Sequence, residues 1–216
     1  MTSITTNQAA AVNVTSDGAR SILEAAKKLF AEHGFDGVSL NAIADLAGVS
    51  KANIFHHFGS KEALYLAVMR DVCSYTARLL QEFVTESGSF AERIHHFAQA
   101  HLRHLIDNAG VSRLILREII AGDAQRGREL VEQVFGDNFS QLVEVFRAGQ
   151  QRGEVRSDVD PAVLALALIG ADVFFFQNRH ILRHFPEIRF TNDPGYYSHA
   201  VVDLLLHGMC ANRGEQ

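Results

Sequence analysis

Apolar residues recur along this chain at intervals of three and four, and no stretch alternates as a half-buried strand would. The pattern predicts an all-α protein. Ile22, Ala26, Leu29, Phe30 and His33 fall on one face of a first helix that ends at Gly34, after which Phe35 and Val38 plug a small core. Ser39 is a good N-cap for a second helix, which carries Leu40, Ile43, Ala44 and Ala47 and ends at Gly48, a residue that permits a sharp turn. Val49 is an apolar plug. Ser50 caps a third helix from about Lys51 to His57, with Ile54 and Phe58 facing the core. Ser60 caps a fourth, which continues through Leu64, Ala67, Val68, Val72, Tyr75 and Leu79.

Further on, Ser89 and Glu92 make a capping box ahead of Ile94, Phe97, Ala98, His101, Leu102 and Leu105. Leu114, Ile115, Ile119 and Ile120 follow, closed by Gly122. A long stripe through Leu130, Val131, Val134, Phe135, Phe139, Leu142, Val143 and Phe146 ends near Gly153. Asp160-Pro161 and Asp193-Pro194 are start signals with proline at the first helical position. They open helices from Val163 to about His184 and from Tyr196 to about Met209. Leu164, Leu166, Leu168, Ile169 and Val173 to Phe176 wrap round the first, and Val201, Val202 and Leu204 to Leu206 round the second. A helix apolar on all sides is buried on more than one.

The second and third helices, joined through Ala47-Gly48-Val49-Ser50, have the form of a helix-turn-helix, whose second helix enters the DNA major groove. Residue types on the third helix suit that task. Asn pairs with adenine, Lys reaches guanine or phosphate, and Ala touches a thymine methyl. The candidate DNA-contacting set is Ser39, Ser50, Lys51, Ala52, Asn53, Phe55, His56, His57 and Lys61. Lys61 opposes the macrodipole in the first turn of its helix, a local cost that makes sense if helix end and ammonium face a phosphate together.

From Arg20 to Leu64 the chain resembles the N-terminal domain of the TetR family of bacterial transcriptional regulators. The matching features are Ile-Leu-x-Ala-Ala-x-x-Leu-Phe, Gly-Phe-x-Gly-Val-Ser, Ile-Ala-x-x-Ala-Gly-Val-Ser and His-His-Phe-x-Ser-Lys-Glu-x-Leu. The resemblance implies a three-helix DNA-binding domain followed by a larger helical ligand-binding and dimerisation domain. The expected division is a disordered arm over 1–14, the helix-turn-helix domain over 15–62 and the second domain over 63–210. The resemblance also implies a homodimer through the last two helices, with Leu168, Phe176, Val201 and Leu205 at the interface. Double-stranded operator DNA and a small-molecule effector are the implied partners.

Composition refines this reading. The net charge is −5 over 216 residues, unlike a protein that coats nucleic acid. Through Lys61 there are five basic and five acidic residues, leaving 15 basic and 20 acidic in the remainder. A small footprint with few phosphate contacts follows, and pairing of two subunits compensates. Fifteen phenylalanines and no tryptophan suggest a mostly apolar effector pocket, assigned to Phe97, His101, Arg117, Phe135, Phe139, Phe174 and Phe175, although phenylalanine also fills cores. Arg103, Arg113 and Arg117 are available for an anionic group on the ligand. Cys73 and Cys210 are too few for a disulfide framework and read as buried thiols. The pairs His101/His104 and His180/His184 have helical spacing, but no Cys/His cluster accompanies them, so no metal or cofactor is assigned. No nucleophile–base constellation or phosphate loop appears, so an enzyme is not expected. The uncharged Met1–Val14 stretch is not a signal peptide, no segment reads as long and apolar enough to span a membrane, and a cytoplasmic protein is expected. A helical ligand-binding or scaffold protein without DNA binding is the rival reading.

Overall fold

The computed structural model describes residues 16–121 and 124–208, apart from the side chains of residues 120–126. The expected arm, Gly122, the Ile120 side chain, Met209 and Cys210 lie outside the described residues. Ten α-helices are present among those residues and no strand: α1 Asp17–His33, α2 Leu40–Ala47, α3 Lys51–Phe58, α4 Lys61–Thr85, α5 Phe90–Asp107, α6 Ala109–Ala121, α7 Ala124–Leu130, α8 Gly136–Gln151, α9 Pro161–Leu182 and α10 Pro194–His207. The chain divides into two units between Arg70 and Asp71, inside α4 and later than the expected boundary after residue 62.

In the first unit, α1 buries Ala19, Ile22, Leu23, Ala25, Ala26 and Phe30, and α2 buries Ile43 and Ala44. Tyr65, from the start of α4, meets Phe30 edge-on at 5.0 Å and Phe35 at 4.9 Å. Such tilted ring pairs suit the aromatic quadrupole. His33 leaves the predicted stripe. It sits in the last turn of α1, exposed and 3.7 Å from Glu32. Gly48 has φ 67° and ψ 32°, a left-handed conformation that an L side chain adopts at a cost.

The second unit has a core of Leu79, Leu80, Phe83, Phe90, Ile94, Phe97, Leu142, Phe146, Leu164, Leu168 and Val202, with Leu102, Leu116, Phe175 and Phe176 in an adjoining cluster. The capping box at Ser89 is formed in both directions. The predicted long stripe breaks at a π turn over Val131–Phe135. An added residue in a turn rotates the following face by about 100°. Val131, at the start of that turn, and Phe139, after it, are exposed, while Val134, Leu142, Val145 and Phe146 are buried. In α6 the buried positions are Val111, Ser112, Leu114 and Leu116, and Ile119 is exposed. Gly149 is required by close approach: a Cβ there would lie 2.8 Å from Val155 and 2.9 Å from Phe90. Burial pushes the Cys73 thiol up to about 12, which suppresses the reactive thiolate.

Contrary to the sequence reading, α9 is long and apolar enough to cross a membrane by length and composition. Only one side of it lies in the core. It packs against α5, α8 and α10 and buries Asp172 at its centre, 2.8 Å from His101.

The space around Gly48 is open, so its substitution tests backbone strain alone. Gly48→Ala is expected to destabilise the first unit by roughly 1–2 kcal/mol in urea denaturation, and Gly48→Asn by less. An unchanged midpoint for Gly48→Ala would show that the turn imposes no such constraint.

Candidate nucleic-acid interface

Local chemistry sets the direction of α3. The Gly48 and Val49 amides donate to the carbonyls of Asp45 and Ala44 at 3.3 and 3.0 Å, closing the end of α2. Ser39 Oγ accepts from the Ala42 amide at 3.1 Å, and Ser50 Oγ accepts from the Asn53 amide at 3.2 Å. These two serines are therefore caps first. Ile54 and Phe58 are buried and tie α3 to α1 and α2. Their burial leaves Lys51, Ala52, Phe55 and His56 exposed on the opposite face. Phe55 is 46% exposed, a large apolar side chain left in water on a helix of eight residues.

Asn53 and His57 are half-buried beside the start of α1, where a Cβ on Gly18 would lie 3.7 Å from Asn53 Nδ2 and from His57 Nε2. The His56 and His57 rings meet at 5.2 Å. Ser60 caps α4 by accepting from the Ala63 amide at 3.0 Å. Lys61 follows, and its Nζ lies 4.2 Å from the centre of the Phe35 ring. The aromatic face holds the ammonium near the helix start. Sequence reasoning did not find the Gly18 and Phe35 contacts, because both join residues distant along the chain.

The residues assigned to an effector pocket are not brought together. Phe97, His101 and Phe175 are buried in the core, Phe135 is half-buried, and Arg117, Phe139 and Phe174 are exposed. His101 and His104 are separately engaged, the first with Asp172 and the second stacked on Tyr75 at 4.2 Å. Burial raises the Asp172 carboxyl above its usual range, with His101 opposing that shift, and leaves its Oδ1 buried without a partner. Two clefts are present instead. A cleft of about 240 Å³ is lined by Ile106, Ala109, Phe176, Arg113, Arg179, His180, Arg183, Thr191 and Asn192. Arg179 Nε donates to the Thr191 carbonyl at 2.7 Å. Among the described residues no carboxylate pairs with these three arginines. A cleft of about 340 Å³ has an apolar floor of Leu80, Phe83, Val84 and Val145.

Of the residues expected at a dimer interface, two are taken by the chain's own core. Leu168 is 0% and Phe176 5% exposed, both packed in the chain's own core, and Val201 and Leu205 are half-buried. The exposed apolar positions are Val163, Leu166, Phe174 and Ile181 of α9 with Tyr196 and Leu204 of α10. A helix apolar all round does not show from sequence which side its own core takes.

A short anchored helix with Lys51, Phe55 and His56 on its outer face, following a tight glycine turn, has the form of the helix-turn-helix class of DNA-binding proteins. Residues 22–68 match the model for bacterial regulatory proteins of the tetR family, and residues 91–200 match that of a tetracyclin repressor-like C-terminal domain. The chain belongs to the TetR family of transcriptional regulators. It is 34% identical over 144 residues to the transcriptional regulator RutR of Escherichia coli O157:H7, covering 66% of each chain. It is 27% identical over 168 residues to the transcriptional repressor NicS of Pseudomonas putida, covering 76% of this chain and 78% of that one. The chain spans about half to two thirds of the length of the RutR relatives it matches. Among solved structures, FadR from Bacillus subtilis in complex with stearoyl-CoA superposes with a TM-score of 0.74 at 18% identity, covering 88% of this chain and 99% of that one. PfmR from Thermus thermophilus gives 0.66 at 25% identity, covering 92% and 100%. These superpositions establish the fold.

Because the Ser50 hydroxyl is committed to a backbone amide, Ser50→Ala is expected to lower stability by about 0.5–2 kcal/mol and weaken DNA binding without altering base preference. A changed preference at any base pair, measured by competition among operator variants, would make Ser50 a reader rather than a cap.

Proposed function

We propose that the protein is a cytoplasmic, ligand-responsive transcriptional repressor that binds a palindromic operator as a homodimer. The observation that carries this reading is the outer face of α3. Lys51, Ala52, Phe55 and His56 are exposed there because Ile54 and Phe58 hold the opposite face in the core. Asn53 at the edge reads a base, and Lys61 swings from the Phe35 ring to a phosphate. Two copies present their α3 helices to successive major grooves, about 34–36 Å apart.

The second subunit covers the exposed apolar face of α9 and α10. Such an isologous contact sets each residue near its two-fold mate. The effector is a mostly apolar small molecule with one anionic group, held in the cleft of Arg113, Arg179 and Arg183 over Phe176 and Ile106. Guanidinium groups gathered in a cleft focus a positive potential there. Helix α4, one helix of 25 residues shared by both units, provides the continuous route for coupling. Release of DNA requires that the effector bind the two states with different affinity.

Mobility-shift titrations at several salt concentrations test the DNA assignment. Lys61→Ala is expected to weaken binding to all sequences alike and flatten the salt slope by about 1 per subunit. Asn53→Ala is expected to cost roughly 1–3 kcal/mol and relax one base pair in each half-site. A Lys61 variant with changed preference and an unchanged slope would overturn the assignment.

Leu166, which is 64% exposed, tests the interface without disturbing the core. Leu166→Glu is expected to give monomers in analytical ultracentrifugation and to lose operator binding. A wild-type monomer at micromolar concentration would contradict the dimer.

For the effector, a thermal-shift screen of aromatic and aliphatic carboxylates is expected to give hits that also release operator, since both effects draw on one equilibrium. Arg113→Ala combined with Arg183→Ala should abolish those hits. Hits confined to neutral sugars would exclude this cleft as the effector site.

A further inference from the structure

One cluster of ligating side chains belongs neither to the helix-turn-helix nor to the clefts. It joins α5 to α10, which pack along each other. His95 Nε2 lies 3.2 Å from Asp203 Oδ1, and His199 Nε2 lies 3.3 Å from Asp203 Oδ2. The two imidazoles stack with centres 4.1 Å apart. One donor atom from each of the three residues lies within 4.8 Å of the others. One turn further along α10, His207 Nδ1 donates to the Asp203 carbonyl at 3.1 Å. That bond fixes the His207 tautomer and leaves its Nε2 with a free lone pair, the arrangement that orients metal-ligating histidines.

We propose that His95, His199 and Asp203 form a transition-metal site, with Zn(II) the ion that fits it best. Zinc binds imidazole nitrogen at about 2.0–2.1 Å and carboxylate oxygen at about 2.0–2.2 Å in tetrahedral geometry. The edges of such a tetrahedron are roughly 3.3–3.5 Å long. The His–Asp contacts run to different carboxylate oxygens and the two imidazoles are stacked, so binding requires the rings to unstack and turn both Nε2 atoms and one Asp203 oxygen toward a common centre, which is within reach because the three donor atoms already lie within 4.8 Å of one another. Two imidazoles and one carboxylate disfavour Mg(II) and Ca(II), which take oxygen ligands, and favour Zn(II) among abundant ions. Water or His207 completes the coordination. The sequence reading assigned no metal, since it weighed histidine pairs within single helices. His95 is brought to His199 only by the packing of α5 on α10. A bound ion would clamp these helices independently of the effector cleft, so this site stands whether or not the proposed effector is correct.

The test uses the full chain and zinc chloride, followed by isothermal titration calorimetry and thermal shift, with Co(II) as a spectroscopic probe. Equimolar, saturable zinc binding with a raised melting temperature is expected, together with the visible absorption of tetrahedral Co(II). His199 and Asp203 both reach solvent, so their variants leave the core intact. His199→Ala and Asp203→Asn are each expected to weaken zinc binding by more than about tenfold. His96→Ala, which removes a neighbour paired with Glu86, should leave it unchanged. No saturable binding by the wild type would overturn the proposal and leave a plain His–Asp–His hydrogen-bond cluster. Zinc binding that survives both variants, or is lost in His96→Ala, would overturn it as well.

Discussion

An eight-residue helix is not stable alone in water, because nucleation costs more than so few hydrogen bonds return. Helix α3 therefore exists only through the burial of Ile54 and Phe58 against α1 and α2. Each such side chain contributes roughly 1.5–3 kcal/mol when fully buried. Ser50 adds the N-terminal cap, and Gly48 sets the angle at which α3 leaves α2. The same burial selects the solvent face of α3, the face proposed to read DNA, since whatever α3 does not give to the core is left in solvent. In this unit, fold and site are two sides of one helix.

The second unit meets a different constraint. Helix α9 is apolar nearly all round, so it satisfies a membrane criterion of length and composition. One side is consumed by the core through Leu164, Leu168, Phe175 and Phe176, and the other leaves Leu166 and Phe174 in solvent. At its centre a carboxylate is fully buried against His101. This hydrogen-bonded His–Asp pair is buried, and removing either partner would leave the other's polar group unsatisfied in the core. It joins α9 to α5, the helix that also carries His95 and the lining residue Ile106.

Most of the first unit was legible in the sequence. Its signals are local: Ser39, Ser50 and Ser60 as caps, Gly48 as turn, and an apolar stripe on each helix. Helix starts in the second unit were legible for the same reason, at Ser89-Glu92, Asp160-Pro161 and Asp193-Pro194. What escaped were features that depend on tertiary packing. A π turn interrupts the stripe at Val131–Phe135, and Phe139 lies in solvent rather than in the stripe it was expected to join. Leu168 and Phe176 went to the core while Leu166 and Phe174 went to the surface, a choice invisible in an all-round apolar pattern. The residues assigned to a pocket from phenylalanine content are scattered between the core, as Phe97 and Phe175, and the surface, as Phe139 and Phe174. The Arg113, Arg179 and Arg183 cleft and the His95, His199 and Asp203 cluster are assembled from separate helices.

Net charge bounds what the protein does with DNA. At −5, with a first part neutral through Lys61, it has few cations for phosphate, and the proposed homodimer would gain affinity from paired, correctly spaced contacts. The most direct test is selection of bound sequences from random duplex DNA by the purified full chain at near-physiological salt. The account predicts enrichment of an inverted repeat whose half-site centres lie about 10 bp, or a multiple of that, apart. Failure to enrich any sequence, or enrichment of a single half-site without symmetry, would contradict it.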